Sequence, residues 1–127
     1  MAKKLRANFK LERNFKRRWV AALRSGKYKQ TISHLYDRGG FCCLGVMCAL
    51  RGAKLDEMDQ IGLPGELPNF SELFNIDSDH ADYFSDGEEA WQVPYCGKMV
   101  RLTVLNDGHR LSFKKIANII ERSVDTY

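Results

Sequence analysis

The stretch Asp37–Leu50, DRGGFCCLGVMCAL, decides how the chain is read, because three of its four cysteines fall inside it. Gly39-Gly40 breaks any preceding element. The residues after it are small and apolar, and their length suits a buried helix of about three turns. The predicted helix covers Cys43–Leu50, with Gly52 closing it. Gly45 inside it costs about 1 kcal/mol against alanine, which is reasonable if another backbone comes close there. A buried strand is the alternative for so short an apolar run.

Outward from this core, Phe15, Trp19, Ala22 and Leu23 form one apolar stripe. They predict a helix over about 11–25, ended by Gly26. Lys27–Tyr36 reads as extended or as a short turn-like connection. Near the other end, Ser112 is a good N-cap. Phe113, Ile116, Ile119 and Ile120 follow at helical spacing through SFKKIANIIERS. Between these helices, Trp91–Tyr95, a Cys96-Gly97-Lys98 turn and Met99–Thr103 predict a hairpin, with Pro94 demoting the first strand to an edge. The LNDG that follows reads as a turn. The expected fold is α+β: one small, helix-dominated domain over residues 1–127 with a minor antiparallel hairpin or sheet. Residues 1–8 read as a flexible basic arm. Residues 54–89 read as acidic and largely irregular, with a short helical turn near Ser71–Phe74.

The net charge of +4 conceals two blocks. Residues 1–30 hold eleven Lys or Arg against one acid, Glu12, and residues 55–97 hold eleven Asp or Glu and no Lys or Arg. Such blocks mark interaction surfaces, or face one another within a chain or between copies; the second arrangement offers a route to oligomerisation. There is no membrane-length apolar run and no apolar stretch behind the basic start, so a cytoplasmic protein with reduced thiols is expected.

Three chemistries follow for the cysteines and their neighbours. Zinc fits poorly: Cys42 and Cys43 are adjacent, while Cys96, His34, His80 and His109 are scattered, so no metal site is assigned. Calcium fits no better, since Asp77 and Asp79 match an EF-type loop but Ala81 and Asp82 do not. Cys42 or Cys43 at a helix N-terminus is a place for a thiolate, and with His109 and Asp107 would make a cysteine hydrolase. The plainer reading is that these cysteines pack as small hydrophobes. A nucleic-acid interface built from Lys10, Arg13, Lys16, Arg17 and Lys27 is a separate reading. No cofactor is implied.

Three patches together resemble small phage-encoded proteins of uncharacterised function. They are WVAALRSGKYKQT from Trp19, FCCLGVMCALRG from Phe41, and LNDGHRLSFKKIANIIE from Leu105. The resemblance implies a viral protein in a host bacterial cytosol and brings no catalytic residue. Tyr28, Gln30, Asn106 and Asp107 are its polar members without an evident structural role. With Cys43 as a wall, they are the candidate binding residues. The leading expectation is an accessory protein that binds a host factor or a nucleotide-like ligand without catalysis, in host takeover or anti-defence.

Overall fold

The computed structural model describes residues 5–74 and 90–127. The chain is a small α+β domain. Strand β1 (Lys10–Leu11) leads into helix α1 (Arg13–Arg24), and the Glu12 carboxylate caps it by accepting from the amides of Asn14 and Phe15. The apolar stripe of α1 buries Phe15, Trp19, Val20 and Leu23. Two-residue strands β2 (Lys29–Gln30), β3 (Tyr36–Asp37) and β4 (Gly40–Phe41) then form a sheet in the order β2-β4-β3. Here β4 runs parallel to β2 and antiparallel to β3.

Helix α2 (Cys43–Leu50) has the predicted bounds, and Cys43 through Cys48 are all buried. Gly52 follows it with φ +96°, the left-handed conformation that glycine takes without strain. Gly45 lies where the chain at Leu35 crosses the helix, and a Cβ added there would land inside the Leu35 carbonyl. The close approach predicted from Gly45 is therefore real, and it is with backbone.

The segment from 54 onward is more regular than its composition suggests. It holds α3 (Leu55–Met58), a 3₁₀ turn at Pro64–Glu66 and α4 (Phe70–Phe74). Each puts an apolar residue, Met58, Pro64 or Phe74, into the interior, and that burial organises an otherwise acidic stretch. The rest of the acidic segment, including the calcium-like run from Asp77, lies outside the described residues.

The hairpin is β5 (Gln92–Tyr95) and β6 (Lys98–Arg101), joined by Cys96 and Gly97 with φ of 52° and 80°. Positive φ at both central residues is the type I′ geometry that matches strand twist. The LNDG reading needs correction. Val104–Gly108 is a turn of π-helix, closed by the His109 amide donating to the Val104 carbonyl at 2.9 Å. The wider turn buries both Leu105 and Asn106. Helix α5 (Phe113–Ser123) starts as expected, with the Ser112 hydroxyl accepting from the Lys115 amide, and packs along α1.

The start of the chain also differs from expectation. Residues 5–8 of the anticipated arm are docked: the Ala7 amide donates to the Ser123 carbonyl, the Asn8 amide to the Gln92 carbonyl, and Arg6 pairs with Asp125 at 2.7 Å. Strand β1 then pairs in parallel with β7 (Asp125–Thr126), so the two ends of the described chain lie together. Phe9, Trp19, Trp91 and Phe74 form an aromatic chain through the core, with Phe9 meeting Trp91 edge-on at 5.1 Å.

Candidate functional site

Four of the five residues singled out as a binding site do come together. Asn106 is fully buried, and all its hydrogen-bonding positions are used. Its Oδ1 accepts from Gln30 Nε2 at 3.0 Å and from the Cys43 amide at 3.2 Å. Its Nδ2 donates to the Thr31 carbonyl at 2.8 Å and to Asp107 Oδ1 at 2.7 Å. Gln30 also donates to the Leu111 carbonyl at 2.8 Å. Cys43 opens α2, so its amide is one of the helix-end donors with no partner inside the helix. Asn106 caps that amide from 63 residues away. The Cys43 carbonyl accepts from Trp19 Nε1 at 3.0 Å, which ties α1 to the same residue. These bonds join β2, α2, the π turn and the loop before α5 into a satisfied knot that leaves Asn106 no group to offer a ligand. Tyr28 stands apart, edge-on to Phe41 at 5.2 Å.

The cysteines have the chemistry of packing. Cys42, Cys43 and Cys48 are buried, and Cys96 at the hairpin tip is exposed. Burial pushes the Cys42 thiol up to about 12, against the pull of the Gly45 amide on its sulfur. Burial raises Cys43 and Cys48 well above the ordinary thiol value too. A thiol held this way carries negligible thiolate at neutral pH, despite its place at a helix N-terminus. Asp107 is engaged by Asn106, and the exposed His109 ring lies against Tyr95. Among the described residues no group of His, Cys, Asp and Glu is arranged to hold a metal.

The open chemistry is on α1. A groove of about 530 Å³ runs beside it, lined by Arg13, Lys16, Arg17 and Arg24 on the helix and by Glu121 and Thr126 opposite. Arg24 grips Glu121 through two bonds, at 3.0 and 3.1 Å, and reaches Asn118 at 2.7 Å. That bond holds the Glu121 carboxyl below its usual range. Lys16 donates to the carbonyls of Glu121 and Val124 at the end of α5. Its pKa is lowered, first by burial and then by Arg6. Arg13 and Arg17 are exposed and have no ion-pair partner among the described residues.

A second groove, of about 320 Å³, lies on the other flank of α1, with Arg18, Ser25, Lys27 and Tyr28 in its lining. Of the five cations named for a nucleic-acid interface, Arg13, Lys16 and Arg17 thus share the first groove and Lys27 lies in the second. Lys10 sits half-buried in β1 and lines neither. Arg24 was missing from that reading. Helical spacing could have supplied Arg24, seven residues from Arg17 and so on the same face.

No described helix is long and apolar enough to cross a membrane. No curated protein and no solved structure matches the chain. A family model described as a domain of unknown function, DUF8296, matches residues 11–63. That span takes in α1, the β2-β4-β3 sheet and α2, and stops before the hairpin, Asn106 and α5. Over its first half, then, the chain is similar to a family of unknown function.

Proposed function

We propose that the protein acts by binding, without catalysis, and that its ligand carries phosphate and is received on the outer face of α1. One observation carries this reading: Arg13 and Arg17 are exposed and without ionic partners among the described residues in an open groove that also holds Lys16 and Arg24. Concentrated positive charge beside a concave surface draws anions and speeds their arrival. The charge is also placed against the stability of the helix. Arg13 begins α1 and Lys16 follows one turn later, with no acid in the first turn, although cations near a helix N-terminus are disfavoured by about 0.3–1 kcal/mol each. The likeness of three sequence patches to small phage proteins supports a setting in a host bacterial cytosol. There the target is a host factor presenting phosphate or a nucleotide-like ligand, and the role is in host takeover or anti-defence.

The test is a titration of labelled oligonucleotides and a nucleoside triphosphate across a salt series. At least one is expected to bind, with affinity falling between about 50 and 200 mM salt. An Arg13→Glu, Arg17→Glu double variant is expected to lose that binding. Absence of binding at the lowest salt sinks the proposal, and so does an affinity indifferent to salt.

A further inference from the structure

The two grooves beside α1 narrow the class of ligand. Both reach Ala21, the one residue their linings share, so α1 stands as a ridge with a cationic channel along each flank. Arg13 and Arg17 line one channel, and Arg18 and Lys27 line the other. Between them, Asn14 and Ala21 are exposed. A lone phosphate compound needs only one of these channels. A ligand that uses both must present two rows of negative charge about one helix-width apart.

Resting on the phosphate-binding reading above, we infer that the partner is B-form DNA duplex, with α1 seated in its major groove and one phosphate backbone in each flanking channel. The dimensions agree. A helix with its side chains is about 10–12 Å across, and the major groove of B-DNA is about 12 Å wide. The twelve residues of α1 span about 18 Å, which is roughly half a turn of duplex. The A-form major groove of duplex RNA is too deep and narrow to admit such an element. The side chains fit the same placement. Arg13, Arg17 and Lys27 are exposed and can meet phosphate, and Arg18, which donates from one guanidinium nitrogen to the Leu50 carbonyl at 3.3 Å, keeps its other N–H groups for it; such groups set register without reading sequence. Asn14 and Ala21 face the base edges, where asparagine pairs with adenine and a methyl group meets thymine. Helix α1 itself carries no acidic residue to repel the strands.

The test compares a DNA duplex of about 20 base pairs, the RNA duplex of that sequence and its single DNA strand, by fluorescence anisotropy at about 100 mM salt. Duplex DNA is expected to bind about tenfold more tightly than either competitor. Arg17→Glu and Lys27→Glu, one in each channel, should each weaken it about tenfold. Ala21→Trp, at the crest, should weaken duplex binding and leave binding of the single strand unchanged. Lys115→Glu, away from both channels, serves as the control and should have no effect. Circular dichroism melting of every variant separates lost binding from lost folding. If the single strand or duplex RNA binds as well as duplex DNA, and Lys27→Glu and Ala21→Trp are silent, the duplex placement fails while phosphate binding in the first groove stands. If no polyanion binds at any salt, both fail. A salt-sensitive dimer in sedimentation, dissolved by Arg17→Glu, would mean that a second copy covers this face, and would overturn the DNA assignment.

Discussion

Asn106 contributes through its completeness. A buried primary amide is stabilising only when its donors and acceptor are all engaged, because each unpaired group in a dry interior costs about 1–3 kcal/mol. Here the partners come from Gln30, Thr31, Cys43 and Asp107. Asn106→Leu strips the Cys43 amide of its acceptor and is expected to lower unfolding free energy in urea by about 3 kcal/mol. Asn106→Asp should be comparably harmful, since it removes the donor and sets a carboxylate against Asp107; a wild-type midpoint for either would show that the knot is dispensable. Cys43 matters through its peptide groups and its size, so Cys43→Ala is expected to cost about 1–2 kcal/mol. In the folded protein iodoacetamide should label Cys96 alone at neutral pH; modification of Cys42 or Cys43 would contradict their burial. The buried thiols also set a pH limit. Their folded pKa values lie above the unfolded value of about 8.5–9, so the unfolded chain releases these protons first. Stability is whole below that pH and falls as pH rises from there toward the folded value, about 12 for Cys42. A Cys42→Ala variant should show a shallower fall in melting temperature above pH 9, and an unchanged slope would remove Cys42 as a contributor.

At the scale of elements, Gly45 is the position with least tolerance. Its missing Cβ lets the Leu35 backbone lie on α2, and the Leu35 carbonyl accepts there from the Cys42 amide. Gly45→Ala gains helix propensity of up to about 1 kcal/mol, but the methyl group meets backbone that cannot step aside. A net loss of at least about 2 kcal/mol is expected by chemical denaturation; a stabilised variant would show that the crossing is looser than drawn. The same helix shows what a sequence makes legible. Helices α1, α2 and α5 were readable because each carries its own evidence, an apolar stripe or run bounded by a cap or a glycine. The hairpin was readable from its turn. Strands β1 and β7 were not, because two residues carry no period and their pairing is decided by contacts over a hundred residues apart. The π turn was hidden for a related reason. LNDG has the composition of a turn, and only the inward demand of Leu105 and Asn106 makes it a wide helical one. At the candidate site, Gln30, Cys43, Asn106 and Asp107 could be picked out as unusual, but their purpose, to satisfy one another, is a tertiary property. The cations of α1 were visible as a block, and the division into two channels required the packing of α5 on one side and of Tyr28 and Leu50 on the other.

For the molecule as a whole, the beginning and end of the described chain hold each other. Arg6 pairs with Asp125 and donates to the Arg122 carbonyl, β1 lies on β7, and Lys16 closes the carbonyl end of α5. Removing residues 1–8 is therefore expected to lower the melting temperature by several degrees, as the loss of about 1–2 kcal/mol does in a domain of this size. An unaltered melt would mean that those bonds are idle. This closure also bears on synthesis at the ribosome. A nascent chain that has emerged only to residue 110 has made α1 but not the helix that packs along it, so the flank of α1 that α5 covers lies open, with eleven basic residues in the first thirty. Translation at about 5–20 residues per second leaves that surface uncovered for several seconds. For that interval the polypeptide presents an apolar stripe amid positive charge, the kind of segment that holdase chaperones and ribosomal RNA compete to occupy.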